Sequence, residues 1–230
     1  MKRFWEAAVA IATEDGYAIA LDGRRVKTPA KADLILPTED MANAVAAEWN
    51  NVGDTIDPRE MPLTGLANAA IDRIAPDKEQ FAKGVALYSE SDLTCYRAEG
   101  PDALVQWQQE AWDVLLEWAR RRYDVDFAIC TGVMHIEQPA DTVRKLSHEV
   151  MALDAFYLAG LSQMVTIGGS LVAALAVNEE MMPADAVWEA VSLDDRWQLE
   201  EWGEDAEARA ALDARRRDFL TAARFLELLS

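Results

Sequence analysis

Tyr17-Ala-Ile-Ala-Leu21-Asp22-Gly23-Arg24-Arg25-Val26-Lys27-Thr28 decides how the fold begins. Asp-Gly is a strong hairpin signal, because both central positions of a type I′ turn need positive φ. Closing the chain there sets Leu21 opposite Arg24, Ile19 opposite Val26 and Tyr17 opposite Thr28. Ile19 and Val26 then share a face, so the register is self-consistent. Upstream, Glu14-Asp15-Gly16 marks another turn after a strand over 7–13. Downstream, Leu34-Ile35-Leu36 reads as a further strand, stopped by Pro37. Residues 4–36 are therefore β.

Beyond them the periodicity changes from two to 3.6. Thr38 caps a helix with Glu39 and Asp40 in its first turn, where carboxylates favour the positive end of the dipole. Met41, Val45 and Trp49 recur along it at i+4. Asp57-Pro58 and Met61-Pro62 then bracket a domain junction. Leu63, Leu66, Ala67, Ala70, Ile71 and Ile74 form the next stripe, and a helix over 77–90 follows. A long helix over 102–122 carries Leu104, Trp107, Ala111, Leu115 and Trp118 inward, and Arg120-Arg121-Arg122 at its C-terminal end. Residues 126–133 fit a strand or a loop, and Val143, Leu146, Val150 and Leu153 begin another helix. The last helix runs over about 205–229. The expected fold class is α+β: a small β-rich N-terminal domain, residues 1–58 with one helix, then a larger all-helical C-terminal domain, residues 61–230.

Residues 155–178 carry no charge, a length that would span a bilayer. Gln163, Thr166, Gly168, Gly169 and Ser170 interrupt the run, and Asp154, Glu179 and Glu180 flank it in place of basic residues. Two buried helices meeting at Gly168-Gly169 are expected, without membrane insertion.

The chain has 230 residues, with 22 Lys plus Arg against 41 Asp plus Glu, a formal net charge of −19. Such a charge repels phosphate and anionic lipid, which argues against nucleic-acid binding and suits a basic protein partner or simple solubility. Cys95 and Cys130 lack CxxC spacing and read as small buried hydrophobes in a reducing compartment. The opening MKRFWEAAVAIATEDG has neither the long apolar run of a signal peptide nor the Arg and Ser content of a transit peptide. A cytoplasmic setting is expected.

The functional reading centres on residues 193–208, LDDRWQLEEWGEDAEA. Two tryptophans sit among seven acids, opposed by Arg196 alone. On a helix, Leu193 and Trp197 share one face, while Leu199 and Trp202 lie nearly opposite. A helix feeding a single core needs one apolar stripe, not two. Either the helix is sandwiched between layers of its own domain, or one face meets a partner across a carboxylate rim. Gly203 reads as a C-terminal cap, with Glu204, Asp205 and Glu207 opening the next helix.

Enzyme signatures are sparse. His135 and His148 are not at ligand spacing, Gly168-Gly169-Ser170 lacks the Lys of a phosphate loop, and no GxSxG occurs. Glu200, Glu204 and Glu207 would share a face only if the helix ran through Gly203. A carboxylate-based hydrolase or metal enzyme, and an acidic nucleic-acid mimic, are the alternatives to a binding protein.

Several stretches together resemble a known family. They are Ala46-Ala-Glu-Trp49, Met61-Pro-Leu-Thr-Gly-Leu-Ala-Asn68 running to Asp72, Asp92-Leu-Thr-Cys-Tyr-Arg97, Trp112-Asp113 with Trp118-Ala119, and Ser192-Leu-Asp-Asp-Arg-Trp-Gln-Leu-Glu-Glu-Trp-Gly203. In this order and spacing the chain is similar to the chaperones that assemble the catalytic head of ATP synthase by holding its alpha subunit. The resemblance covers about residues 4–229. It implies a non-enzymatic assembly factor without nucleotide or other cofactor, cytoplasmic in bacteria and in the mitochondrial matrix in eukaryotes, with a monomer favoured. A chaperone of this kind needs a surface that covers what the alpha subunit later buries against beta. The candidates here are Trp197, Glu200, Glu201, Trp202 and Glu204, with Trp49 as a weaker one for which helix packing at the domain junction is the favoured reading. Asn68 and Asp72 are polar positions on an apolar helix, suited to capping nearby backbone.

Overall fold

The structure is a computed structural model describing residues 2–203 and 205–230, apart from the side chain of Trp202. It divides into two compact units. One takes in the chain up to Lys78 with the segments Asp154–Gly160 and Arg224–Ser230; the other comprises Glu79–Leu153 and Leu161–Ala223.

In the first unit, β1 (Ala8–Thr13), β2 (Gly16–Leu21) and β3 (Arg24–Arg25) form an antiparallel meander, and β4 (Ile35–Leu36) also pairs with β2. Asp22 and Gly23 take φ +47° and +82°, the turn that Asp-Gly encodes. Leu21 pairs with Arg24, and the Val26 amide donates to the Ile19 carbonyl at 2.8 Å, as the expected register requires. Tyr17 departs from it, because its partner is Leu36 and not Thr28. Thr28 is buried and donates its hydroxyl to Asp72 Oδ1 at 2.6 Å, so the chain leaves the ladder after Val26 and β4 takes the vacated place. Asp72 Oδ2 also accepts from the Ala30 amide at 2.9 Å, the capping role expected of it.

The outer edge of β1 would expose unpaired backbone, a general liability of edge strands. Asn50 covers one position, its side-chain amide exchanging two 2.8 Å hydrogen bonds with the backbone of Ala8. Asn50 belongs to α1 (Glu39–Asn51), capped by Thr38 Oγ1, which accepts from the Met41 amide at 3.2 Å. Met41, Ala42 and Val45 are fully buried along this helix. The strand-bearing unit runs past the 58/61 junction because α2 (Pro62–Ala69) is tied to α1. Glu48 accepts from the Leu63 and Thr64 amides and the Thr64 hydroxyl at 2.7–2.8 Å, at the positive end of that helix. Burial, the largest influence, raises the Glu48 pKa against those hydrogen bonds. A π-helical turn, Ala70–Ile74, continues α2.

The second unit is largely helical, with α3 (Lys78–Ala86) entering it from the boundary. Its centre is α4 (Asp102–Tyr123), whose buried face is Gln108, Trp112, Leu115, Leu116 and Ala119. This corrects the expected stripe, since Trp107 lies outside it and is 41% exposed. The unit is not wholly helical either, because β5 (Tyr96–Arg97) pairs in parallel with β6 (Cys130–Thr131). α5 (Ala140–Ala152) follows, and the uncharged run then forms α6 (Ala155–Gly168) and α7 (Leu171–Asn178). Gly169 takes φ +69° between them, and Ser170 Oγ caps α7 by accepting from the Ala173 amide at 3.0 Å. No helix among the described residues is long and apolar enough to cross a membrane. α8 (Ala184–Val191), α9 (Leu193–Trp202) and α10 (Ala206–Glu227) complete the order.

Candidate partner-binding surface

The stretch 92–97 fixes one wall of the candidate surface. Asp92 is wholly buried. Its Oδ1 accepts from the Thr94 amide at 3.0 Å and the Thr94 hydroxyl at 2.7 Å, and its Oδ2 from the Val172 amide at 2.9 Å. Burial, the largest influence, pushes its pKa up, and these hydrogen bonds oppose the shift. The Leu93 amide donates to the Gly169 carbonyl at 3.0 Å, which ties this turn to the helix junction. Arg97, also buried, donates to Asp113 Oδ1 at 2.7 Å and to the Thr94 carbonyl, and lies over the Trp112 ring at 5.0 Å. A buried guanidinium is tolerable only with such partners, so this stretch is architecture.

Opposite it runs α9. Asp194 and Asp195 occupy its first turn, and Gly203 at φ +92° ends it. Asp205 Oδ1 accepts from the Glu207 amide at 2.9 Å and caps α10. Because α9 stops at Trp202 and α10 begins at Ala206, Glu200 and Glu207 stand on separate helices and do not share one helix face. Arg196 pairs with Glu189 at 3.0 Å, an acid of the preceding helix outside the 193–208 run. Arg215 of α10 pairs with Asp195 at 2.7 Å, a partner invisible from the local sequence.

Trp197 stands edge-on to Trp107, ring centroids 5.0 Å apart at 86°. Trp197 is half-buried and Trp107 exposed, so the pair is open to solvent on one side. Beside it is a cleft of about 500 Å³ walled by Leu93, Leu104, Trp197 and Val133. Asp194 and Glu99 supply its acids. Gln108 holds the floor: its Nε2 donates to Asp194 Oδ1 at 2.7 Å and its Oε1 accepts from the Ala98 amide at 2.8 Å. Glu200 and Glu201 are exposed on the same helix, without an ion pair among the described residues.

Of the sequence candidates, Trp197, Glu200 and Glu201 thus lie on one helix bordering a cleft. The Trp202 side chain and Glu204 lie outside the described residues. Trp49 belongs to the other unit, where its ring packs against Trp5 at 5.3 Å and its carbonyl accepts from Trp5 Nε1 at 3.2 Å. Its own Nε1 is buried without a hydrogen-bond partner among the described residues, as is Asn68 Oδ1. Sequence reasoning missed Trp107, Gln108 and Val133. Gln108, Trp112, Leu115, Leu116 and Ala119 recur at helical spacing, and the polar residue leading that stripe hid it. Cys95 is buried as expected, whereas Cys130 is only half-buried, because the short β6 leaves it beside an open loop.

The half-open aromatic pair, the carboxylates and the apolar cleft make this face the candidate partner-binding surface. Among the described residues no group of three or more His, Cys, Asp or Glu could hold a metal ion. The ATP12 chaperone protein family model matches residues 2–120, and the chain belongs to that family of ATP synthase assembly chaperones. Its role is assembly, not catalysis. The chain is 39% identical to Atp12 of Paracoccus denitrificans, whose crystal structure superposes with a TM-score of 0.94 over 100% of this chain and 98% of that one. An aspartate-to-lysine variant of the P. denitrificans protein matches at 38% identity with the same TM-score and coverage. Among curated proteins, the mitochondrial atp12 of Schizosaccharomyces pombe is 23% identical over 219 residues, covering 89% of this chain and 75% of that protein.

Proposed function

We propose that this chain holds the unassembled alpha subunit of the ATP synthase catalytic head and shields the surface that alpha later buries against beta. The observation that carries the reading is the Trp197–Trp107 pair, half-exposed beside a cleft lined by Asp194 and Glu99, with Glu200 and Glu201 exposed on the same helix as Trp197. Aromatic anchors supply affinity in such surfaces, and rim carboxylates steer a basic partner to them. Membership in the assembly-chaperone family supports the client class, and the motifs over 46–49, 61–72, 92–97 and 192–203, which resemble those of chaperones that hold alpha, point to alpha within it. The chain acts as a monomer in the bacterial cytoplasm, since a charge of −19 on each copy opposes self-association. Titration of purified alpha subunit and of the completed head against the full chain tests the reading. Binding to free alpha with little affinity for the completed head is expected, because beta covers the same surface. Equal binding to both, or none to alpha, overturns it.

A further inference from the structure

The cleft beside Trp197 has a wall that neither α4 nor α9 supplies. β6 runs into Gly132, which takes φ +88°, and a Cβ there would come within 3.2 Å of Glu99 Oε1. The glycine therefore both permits the turn and lets the loop lie against Glu99. Immediately beyond it, Val133 and Met134 are 95% and 80% exposed. Single exposed apolar residues need no explanation, but Val133 lines the cleft and Met134 follows it directly, so apolar surface continues from Leu93, Leu104 and Trp197 out to the loop tip.

The electrostatics of the cleft are one-sided. Its cation, Arg97, is engaged by Asp113 and buried against the face of the Trp112 ring. Asp194 is tied through Oδ1 to Gln108, while Oδ2 has no partner among the described residues, and Glu99 has no ion pair there. Apolar walls around unpaired carboxylates suit a cation with an aliphatic stem.

We infer that the cleft seats a Lys or Arg side chain of the client subunit, its stem against Trp197 and Leu104 and its charge at Asp194 and Glu99, while Val133 and Met134 grip the apolar residues beside it. This rests on alpha being the client and adds the contact that selects it. A second copy of this chain is the poorer occupant, because it would bring a further −19 of charge to an acidic cleft.

The test uses the full chain, purified alpha subunit and two variants: Val133→Ser with Met134→Ser, and Glu99→Gln. Both alter exposed side chains, so melting temperatures should match the parent. The double serine variant should dissociate faster, with Kd for alpha raised by roughly tenfold or more, as for loss of an apolar anchor. Glu99→Gln should weaken binding by a few-fold, about 3 to 5, and flatten its salt dependence, because a rim charge acts on encounter. Serine variants that bind alpha like the parent overturn the cleft and leave the alpha reading standing. Failure of the parent to bind alpha overturns that reading, and this seat with it. Concentration-dependent dimerisation of the parent, abolished by the serine pair, would give the loop to a second copy and also overturn the inference.

Discussion

Asp92–Arg97 and Leu193–Gln198 face each other across one cleft, and they use their polar atoms in opposite ways. In the first stretch Asp92 takes hydrogen bonds on both oxygens, and Arg97 is held by a carboxylate, a carbonyl and a ring face. In the second, Asp194 keeps one oxygen unpaired among the described residues, and Trp197 meets a neighbour that is itself exposed. The difference is enforced by burial. An uncompensated charge in the interior costs several kcal/mol, so a buried stretch must close its network. At the surface water satisfies what the protein leaves free, and a partner can later replace that water. A motif whose polar groups are all engaged therefore serves the fold, and one with groups in reserve is left free to bind.

The largest effect should come from the sealed side. Trp112 is fully buried, donates through Nε1 to the Ala190 carbonyl at 2.8 Å and carries Arg97 on its face. Trp112→Ala should lower stability by ~3–5 kcal/mol, the range for a large aromatic truncated in a core. Thermal or denaturant melts would read this, and a loss confined to client binding would erase the contrast.

Trp197→Ala should behave in the reverse sense. It removes half of an aromatic pair at a half-open position, so folding should survive and client affinity should fall by at least ~2 kcal/mol through faster dissociation. Surface plasmon resonance together with a melt separates the two. Early melting with unchanged affinity would move Trp197 to the structural side. Reversing the rim, Glu200→Lys with Glu201→Lys, should do less: slower association with a weaker salt dependence, and stability changed by no more than ~0.5 kcal/mol. Unchanged association would exclude those carboxylates from steering.

The smallest effect is chemical. Cys95 lies at the end of the sealed turn, and burial, aided by the nearby Asp92 charge, pushes its thiol up to about 12. Cys130, half-buried, donates its thiol to the Met134 carbonyl at 3.6 Å on the open side. The thiolate is the reactive form, so a raised folded pKa keeps Cys95 inert at any pH well below 12. A disulfide reagent should titrate one thiol in the native chain, still one at about pH 10, and two after denaturation. Two fast thiols in the native chain would show that the Asp92–Arg97 stretch is not sealed.

Legibility in the sequence followed the range of the forces. The Asp22-Gly23 hairpin and the Thr38 cap were readable because turn and cap chemistry act within a few residues. The pairing of Tyr17 with Leu36 was not, since Asp72, far along the chain, withdraws Thr28 from the ladder. On α4 the frame failed because Gln108 reads as polar, although the structure uses it as a buried brace between Asp194 and Ala98. α9 stood out in the sequence for its tryptophans and acids, and the structure sets Trp197 beside the cleft. The opposite wall of the cleft did not stand out: exposure of Val133 and Met134 is a tertiary property, and nothing in 126–133 distinguishes a protruding tip from a strand.

Hydrogen exchange on the full chain, with and without saturating alpha subunit, tests the central claim most directly. Engagement of the cleft predicts slower exchange at 96–99, 129–134 and 193–201, with the 17–28 hairpin and α1 unchanged. Protection confined to the strand unit around Trp5 and Trp49, with none at the cleft, would contradict the account and place the client elsewhere.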